Sequence, residues 1–380
     1  MVLKYLRSAR TLTPLLLIAG LLMLPAAAQA ATIVVPPTGS TTSIQNAVNA
    51  ASPGDTIFVS NGTYSGPTVN VEKNNITISG GSGAVINAAG HRYALTVGHQ
   101  NPDGSLNPDP SCGTPSPIYQ VRNFTQSGMT IRNADDTGIF LMGVDRFRVT
   151  GGRYQDNREY GIFPRCSRDG LIDHNSGGGG NDATIYVGVD ENIRVEDNFL
   201  TNGELAIELE NTHNSFVRRN ITTGNTVGIF AIVLPGLPTS ENSLALIENN
   251  IVSNNNRPNA FPPVCDARNL PGCGPFQDDL QLLPSGSGIL VVGAHDYTVR
   301  ANVVTGNNTV GVGAAADPIT GDSTLRMTVT KNVVLHNGTA PDPRTQGAGD
   351  LLFLDDPTNG SCFTNNIHQT EGYPFGAPLC

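Results

Sequence analysis

The sequence predicts an all-β protein: a single-stranded, right-handed parallel β-helix, or solenoid, with a short N-terminal capping helix. Two observations lead to this fold class. A short apolar phrase centred on isoleucine returns at a nearly fixed period, and asparagine recurs at one place within the period. Charged residues make up only 14% of the chain, whereas glycine (43) and proline (26) are abundant. This composition suits short strands joined by tight corners.

The isoleucine period carries the prediction. Its copies lie at Ile139, Ile162, Ile185, Ile207 and Ile229, at steps of 23, 23, 22 and 22 residues. A fixed period of this size indicates one supersecondary unit that is stacked on copies of itself. Because each copy is rich in β-branched and aliphatic residues, with Asn and Gly at its corners, the unit is a coil of a β-helix. We expect about ten to twelve coils, spaced by about 4.8 Å.

Residues 1–30 have the pattern of a secretory signal. Lys4, Arg7 and Arg10 form a basic region, residues 15–24 form an apolar core, and residues 28–30 form a small-residue cleavage site. We therefore expect an exported protein, secreted or periplasmic, with the β-helix domain over residues 31–380. No later stretch is long enough to span a membrane, so no membrane insertion is expected after signal removal.

The charge balance narrows the class of partner. Residues 1–30 contain three basic and no acidic residues, so the remainder carries 19 basic and 32 acidic residues, a net charge of −13. This excess argues against nucleic acid or an anionic membrane as partner. It also disfavours a polyanionic polysaccharide, unless the site is locally basic or bridged by a metal ion. The oligomeric state cannot be read from the sequence.

The first elements are a strand and a cap. Residues 32–35 form a strand, residues 43–51 form a helix with Ser43 as N-cap, and residues 56–59 form the first strand of a coil. The open end of a β-helix exposes an apolar core and strand edges, which an amphipathic helix covers. Its apolar face is expected to carry Ile44, Ala47, Val48 and Ala51.

Six cysteines in an exported chain indicate disulfides, although six cysteines allow fifteen connectivities. Cys265 is close to Cys273, and Cys362 with Cys380 ties the C-terminal tail back. Cys112 with Cys166 pins the loop 99–117, which is too long for a plain corner and is expected to lie over the solenoid surface.

Asparagine confirms the register of the repeat. Six copies each stand three residues after Val, Ile or Phe, and asparagine tolerates left-handed geometry at a corner. Its amide can bond to the copies above and below, so we expect an asparagine ladder along one corner. The copies are Asn198, Asn220, Asn250, Asn302, Asn332 and Asn366.

The period breaks once, because Gly228 and Gly288 are 60 residues apart, against 23 from Gly288 to Gly311. Two insertions explain the excess, at about residues 234–242 and 256–284. Insertions in solenoids cluster on one face, and that face is often the functional one.

Several of these segments resemble known proteins. Residues 44–64 resemble the N-terminal capping segment of pectate-lyase-like β-helix proteins. Residues 181–188, 234–238 and 286–292 together resemble exported parallel β-helix repeat proteins of the pectin-lyase-like superfamily, over roughly residues 120–340. This resemblance is specific for the fold. The group that the sequence resembles has no assigned activity.

If the marker isoleucines face the core, alternate residues face outward. The first outward column contains Phe140, Phe163 and Tyr186, followed by Glu208 and Phe230. We expect the three aromatic residues to bind substrate by stacking on sugar rings. The residues two further along form a second column, which includes Arg165 and Glu210.

A third column is acidic over four successive coils. Like charges in a row destabilise a fold unless a cation neutralises them, and Ca²⁺ prefers carboxylate and carbonyl oxygens. The sequence therefore allows a calcium site here, and the alternative is a solvated acidic stripe. The four residues are Asp136, Glu159, Asp182 and Glu204.

Three residues are candidates for catalysis. Resemblance to pectate lyases implies a calcium-bound uronate and an Arg base, a role that only Arg165 could take in the outward columns. Alternatively, Arg165 is an ion-pair partner of Glu208 or of the acidic column. Glu208 and Glu210 lie about 6–7 Å apart on one strand, a pair that could serve glycoside hydrolysis or simply form an exposed strand.

Several expected signatures are missing from the sequence. It lacks the Gly-His-Gly of polygalacturonases, the Asp-Pro-His-Asp of alginate epimerases, and tryptophan. The His-containing segments 173–175 and 294–296 are interpreted as corners. We expect a protein that interacts with a polysaccharide along a lateral groove near residues 139–232, as a lyase- or epimerase-like enzyme or as a non-catalytic binding module. A metal-handling role is least supported, since soft ligands do not cluster.

Overall fold

A computed structural model describes residues 30–98, 112, 119–265, 268–378 and 380. The predicted signal segment and most of the predicted loop 99–117 lie outside these residues. Within them, the chain has one α-helix, α1 (Thr41–Ala50), and one turn of 3-10 helix (Asp279–Leu282). All other regular structure is β, as the sequence predicts.

The strands are short and follow one another around the coils, and a typical coil contains three of them. In chain order they are β1 (Thr32–Val35), β2 (Thr56–Val59), β3 (Gly62–Ser65), β4 (Val69–Val71), β5 (Thr77–Asn87), β6 (Tyr93–Val97), β7 (Val121–Arg132), β8 (Thr137–Met142), β9 (Val144–Thr150), β10 (Arg153–Gln155), β11 (Tyr160–Arg165), β12 (Leu171–Asp173), β13 (Ser176–Gly178), β14 (Ala183–Gly188), β15 (Arg194–Glu196), β16 (Phe199–Thr201), β17 (Leu205–Glu210), β18 (Phe216–Arg218), β19 (Ile221–Thr223), β20 (Val227–Ile232), β21 (Leu246–Glu248), β22 (Ile251–Ser253), β23 (Ser287–Val292), β24 (Thr298–Arg300), β25 (Val303–Thr305), β26 (Val310–Ala315), β27 (Thr328–Thr330), β28 (Val333–Leu335), β29 (Gly349–Leu354), β30 (Cys362–Thr364) and β31 (Glu371–Gly372).

The strands stack into two parallel sheets, one of 20 strands and one of 11 among the described residues. The 20-stranded sheet forms two faces of the solenoid, because the long strands β5 and β7 bend across both. The 11-stranded sheet forms the third face and contains the isoleucine repeat. Its register aligns Ile139 with Ile162, Ile162 with Ile185, Ile185 with Ile207, and Ile207 with Ile229. The predicted period and the parallel β-helix are therefore confirmed.

The isoleucines of the repeat are fully buried in one apolar core that runs through the coils. Asparagine borders this core at a corner, as predicted. Each ladder amide receives the backbone N–H and the side-chain N–H of the asparagine one coil earlier; Asn220, for example, accepts from Asn198 and donates to Asn250. The ladder also begins one coil earlier than expected, at Asn175.

A second polar ladder, which the sequence analysis missed, runs along another corner. Asn225 donates to Asn255, Asn255 to Asn307, and Asn307 to Asn337, with N···O distances of 2.9–3.3 Å. The last rung is a carboxylate, Asp350. The two His-containing segments are also corners, as predicted, since His174 and Asp296 have φ values of 56° and 57°.

The capping helix covers the N-terminal end of the core and begins earlier than predicted. Ser40, and not Ser43, is its N-cap, because the Ser40 hydroxyl accepts from the Thr42 backbone N–H. The Ser43 hydroxyl donates to the Ser40 carbonyl oxygen instead. The apolar face is as predicted, with Ile44, Ala47, Val48 and Ala51 all buried.

Three disulfides join all six cysteines in the predicted pairs: Cys112–Cys166, Cys265–Cys273 and Cys362–Cys380. In the described part of the chain, no helix has the length and apolar character needed to cross a membrane.

Both predicted insertions interrupt the strand order, between β20 and β21 and between β22 and β23. The second, residues 256–284, folds back over the outer surface of the 11-stranded sheet; we call it the covering segment. Its Leu280 and Leu283 pack into a second apolar cluster, which also contains Phe230 and Leu290 from the sheet. This arrangement positions the candidate site.

Candidate functional site

The outer surface of the 11-stranded sheet carries the predicted columns. The register pairs Phe140 with Phe163, Tyr186 with Glu208, and Glu208 with Phe230. These side chains do not line an open groove, however, because all five are buried beneath other parts of the chain. The sequence located the columns correctly but did not reveal that they are covered.

The aromatic residues of the first column pack on one another. Phe140 stacks on Phe163 with ring centroids 4.8 Å apart, and Phe163 meets Tyr186 edge-on at 4.4 Å. Tyr160, from the start of β11, touches both Phe163 and Tyr186. Their predicted role in stacking on sugars stays a prediction, and in this conformation the rings have protein neighbours.

Four carboxyl groups gather beside these rings. Asp182 lies just before β14, Glu208 and Glu210 lie on β17, and Asp279 lies on the covering segment. The Asp182 carboxyl lies close to the Glu208 carboxyl and to the Tyr160 hydroxyl. Asp182 Oδ1 and Glu208 Oε2 are buried without a partner among the described residues. We call Asp182, Glu208, Glu210 and Asp279 the carboxylate cluster.

Burial and mutual repulsion favour the protonated forms of this cluster. The Glu208 side chain, in a residue only 2% exposed, has a pKa well above its usual range because of burial and the nearby charges of Asp182 and Glu210. Burial raises the pKa of Asp182 to about 7, although hydrogen bonds from Tyr160 and Glu208 oppose the shift. Burial and the Asp182 charge raise the pKa of Asp279 to about 8.

Glu210 has different neighbours from Glu208. Burial raises its pKa, but the Tyr186 hydroxyl donates to it and the positive charge of Arg165 opposes the shift. Gly188 separates Arg165 and Glu210 in the register. A Cβ atom at Gly188 would lie 2.2 Å from the Tyr186 ring, so glycine leaves the space in which that ring reaches Glu210.

Contacts near its start hold the covering segment beside the cluster. Arg257 donates to Glu204 Oε2 at 3.0 Å, and the Ala260 backbone N–H donates to Glu204 Oε1 at 2.9 Å. The Asn259 amide donates to the carbonyl oxygens of Leu280 and Leu283. The predicted acidic residue Glu204 thus anchors the chain that closes the site.

The acidic column is continuous in space but its members have different partners. Asp136 pairs with Arg92 at 2.9 Å, Glu159 with Arg158 at 3.3 Å, and Glu204 with Arg257. Only Asp182 joins the carboxylate cluster. Across the described ranges, no group of three or more His, Cys, Asp or Glu side chains is arranged to hold a metal ion. These residues do not fit a shared Ca²⁺ site, and calcium binding stays a prediction without support from this arrangement.

A mostly apolar cleft of about 280 Å³ opens next to the cluster, over the following coils. Asp279 lines it at one end, with Phe230 and Ile232 from β20. These two residues are the register partners of Glu208 and Glu210. The cleft and the carboxylates therefore share an edge, one strand spacing apart.

The sequence analysis missed two members of this site. Tyr160 stands two residues before a marker isoleucine, where the other coils of the repeat have Thr, Ala, Leu or Val. That contrast was the signal for Tyr160. Asp279 belongs to the acidic pair of the second insertion, but its approach to Glu210 depends on how the insertion folds. Arg165, Glu208, Glu210 and Tyr186 do come together as predicted.

Comparison with known proteins agrees with the architecture. Residues 118–234 match the family described as "Right handed beta helix region". No curated protein matches the sequence significantly.

Solved structures with a similar fold span most of the chain. The A-module of mannuronan C-5 epimerase AlgE4 from Azotobacter vinelandii is 16% identical, with a TM-score of 0.55 over 89% of this chain and 96% of its own. A family 28 exopolygalacturonase from Yersinia enterocolitica is 13% identical, with a TM-score of 0.54 over 93% and 80%. A tailspike protein of E. coli bacteriophage HK620, in complex with a pentasaccharide, is 12% identical, with a TM-score of 0.58 over 88% and 59%. At these identities the likeness establishes the fold alone.

Proposed function

We propose that this right-handed parallel β-helix is a carbohydrate-active protein whose carboxylate cluster cleaves a glycosidic bond. Similar folds in an epimerase, an exopolygalacturonase and a pentasaccharide-bound tailspike support a glycan as the ligand class. Three disulfides support function outside the cytoplasm, where an oxidising environment preserves them.

One observation carries the catalytic proposal: two neighbouring carboxyls with buried, unpartnered oxygens, Asp182 and Glu208, lie beside a third carboxyl with different neighbours, Glu210. Glycoside hydrolysis uses one carboxylic acid that is protonated and a second carboxylate that is ionised. Glu208 suits the acid, since its raised pKa keeps the proton near neutral pH. Glu210 suits the base or nucleophile better than Glu208, because Tyr186 and Arg165 oppose the rise that burial causes in its pKa.

In this mechanism Glu208 gives its proton to the leaving glycosidic oxygen while the bond to the anomeric carbon breaks. In one route Glu210 takes a proton from the water that attacks the anomeric carbon, and exchange with solvent returns Glu208 and Glu210 to their starting forms. In the other route Glu210 bonds to the anomeric carbon as the leaving group departs. Water then displaces Glu210 and gives its proton to Glu208. The Tyr160 hydroxyl lies close to Asp182 and would orient that carboxylate beside Glu208. Because Glu208 is buried, a sugar reaches these groups only when the chain directly over Glu208 moves away.

A lyase or epimerase mechanism with Arg165 as base has less support. The guanidinium of Arg165 lies near the carboxylates of Glu210 and Asp190, whose charges it stabilises. Arginine beside two carboxyl groups keeps its proton. A polyuronate would also meet repulsion from the acidic cluster, unless a cation neutralised it.

The test incubates the purified chain with neutral and uronate glycans, with and without Ca²⁺. New reducing ends without unsaturated products indicate hydrolysis, and Glu208→Gln should lower the rate at least 100-fold. Glu248→Gln, a matched change on another face where Glu248 pairs with Arg218 and Arg300, should leave the rate unchanged. Unsaturated products that Arg165→Ala abolishes would instead establish a lyase. Binding without any product would establish the non-catalytic module.

A further inference from the structure

The cleft beside the carboxylate cluster has a floor that differs from the rest of the sheet. On β23 and β29 the outward residues are Leu290, Val292, Leu352 and Leu354. On β26, between them, the equivalent positions are Gly313 and Ala315. Two small residues between two rows of large aliphatic residues leave a trough across the sheet.

The walls of the trough come from separate parts of the chain. Leu282, Leu283 and Pro284 of the covering segment form one side, and residues 344–346 with Phe375 form another. The volume, about 280 Å³, is about twice that of an apolar cavity that accepts benzene. An alkyl chain of about eight carbons fits such a space.

Polar groups around the trough do not suit a bare sugar or an anion. Arg344 is already engaged, because it donates to Asp342 and to the carbonyl oxygens of Gln281 and Phe261. Asp279, which also lines the trough, supplies no positive charge for an anion. A sugar hydroxyl on the aliphatic floor would lack a partner, which is costly for a buried polar group.

We infer that this cleft binds the alkyl or acyl chain of an amphiphilic glycoside and so places its sugar next to Glu208 and Glu210. The inference rests on the proposed function for the identity of the sugar site. Binding of the alkyl or acyl chain in the cleft does not depend on it. Its geometric basis is the shared edge: Phe230 and Ile232 line the cleft and are register partners of the two glutamates. The substrate class is then a glycolipid-like or acylated glycan with an uncharged apolar part.

The test measures binding by calorimetry with methyl, butyl, hexyl and octyl β-glucosides below their micelle concentrations, and with octanol. Each buried methylene should raise the affinity about fourfold, up to the octyl chain. Equal affinity along the series, or no binding of octyl glucoside, would overturn the inference. Measurements on the wild-type protein alone are enough for this test.

A variant locates the binding. Ala315→Leu fills the floor and should weaken octyl glucoside and octanol binding at least tenfold, at an unchanged circular dichroism spectrum. Ala50→Leu, on the exposed side of α1, is the matched control and should bind as the wild type does. Unchanged binding by a folded Ala315→Leu would overturn the inference.

The same reagents separate this inference from the proposed function. Binding that depends on chain length, together with no effect of Glu208→Gln on any glycan cleavage, would leave the cleft assigned and reject the catalytic role. Cleavage that requires Glu208, without dependence of binding on chain length, would do the reverse.

Discussion

Acidic side chains of similar burial have opposite surroundings on the different faces of this solenoid. Burial opposes the ionisation of Asp173 and Glu196, yet hydrogen bonds from Arg148 and Arg194 lower both pKa values below their usual range. Asp182 and Glu208 have each other and Tyr160 in place of an arginine. A buried carboxyl group without an arginine partner destabilises the fold when it is ionised. We therefore place the catalytic chemistry at Asp182 and Glu208, and assign the ion-paired carboxylates of the other faces a stabilising role.

The raised pKa of Asp182 should make the fold weaker as pH increases. Below pH 3.8, its ordinary value, folded and unfolded chains both hold the proton; between 3.8 and about 7 only the folded chain does. Rising pH therefore favours the unfolded state through this window. Asp279 and Glu208 shift the same way, and Glu210 and Asp278 face the same group.

The wild-type protein should lose stability between about pH 5 and pH 8. Asp182→Asn should make that loss smaller by about 1–2 kcal/mol. Urea unfolding at several pH values measures this quantity. The exposed corner residue Asp156 offers the control, since Asp156→Asn should preserve the wild-type pH profile. Parallel profiles for wild type and Asp182→Asn would contradict the raised pKa.

A second residue-scale prediction concerns the asparagine ladder. Asn220 is fully buried and bonds to Asn198, to Asn250 and to the Val195 carbonyl oxygen. Asn220→Ala leaves several buried partners unsatisfied and should lower the free energy of unfolding by about 3 kcal/mol. The readout is a lower urea midpoint at unchanged slope.

Asn181→Ala, at an exposed position, is the control and should change stability by less than about 0.5 kcal/mol. Equal losses at the two positions would mean that the ladder contributes no more than a surface amide.

At the scale of elements, the covering segment packs on the outer surface of the 11-stranded sheet, beside the carboxylate cluster. Its 3-10 turn begins with a capping box, in which Asp278 accepts from Leu280 and Gln281 reaches back to the Asp278 backbone N–H. Cys265–Cys273 closes its outer loop over 8 residues. Both features keep a segment without long strands in one conformation, pressed on Glu204 and the cluster.

Replacing both Cys265 and Cys273 by serine should loosen this segment without unfolding the coils. Closing a loop of this length is worth about 2 kcal/mol, or roughly a thirtyfold change in local opening. Trypsin cleavage after Arg268, which lies in the closed loop, should accelerate by at least tenfold. The double change Cys362→Ser and Cys380→Ser, in the C-terminal tail, should not alter that cleavage rate, and similar acceleration by both pairs would contradict a local role.

At the scale of the whole molecule, each coil contacts mainly its neighbours, so the two ends need separate protection. At the N-terminal end α1 supplies it: Ile44 and Val48 are buried against the first strands. Ile44→Asp puts a charge into that contact and should lower the melting temperature and cause concentration-dependent self-association. Light scattering during heating measures both effects. Asn46→Asp, on the exposed side of the same helix, should behave as wild type.

The repeat could be predicted from the sequence because its causes are local or periodic. Alternation of Ile162 with its neighbours, and the return of the pattern one coil later, define strands, register and core without knowledge of distant contacts. The disulfide pairs also followed from proximity in the chain or in the coils. The start of α1 was wrong by two residues, since Ser40 and Ser43 are both plausible caps and the choice depends on the turn before them.

The state of the site could not be predicted in the same way. Glu204 meets Arg257 across 53 residues of chain, and nothing periodic signals where an insertion will land. The columns were therefore expected to line a groove, whereas their side chains are buried. Arg165 and Glu210 could be placed near each other because both belong to the repeat; Asp279 could not, because it lies on the insertion.

The two asparagine ladders also determine how a gene for such a protein can change length. Successive rungs are 22 residues apart at Asn198 and Asn220, but 52 apart at Asn250 and Asn302, and both pairs make the same hydrogen bonds. Extra residues are thus accepted at corners away from the rungs, and duplication of one complete coil would join the ladders without a gap. A single codon added inside a three-residue strand would misplace every rung that follows it within that coil. Such a protein should therefore change length in evolution by gaining or losing whole coils and by changes in its loops. The insertions at this site already illustrate the second kind of change.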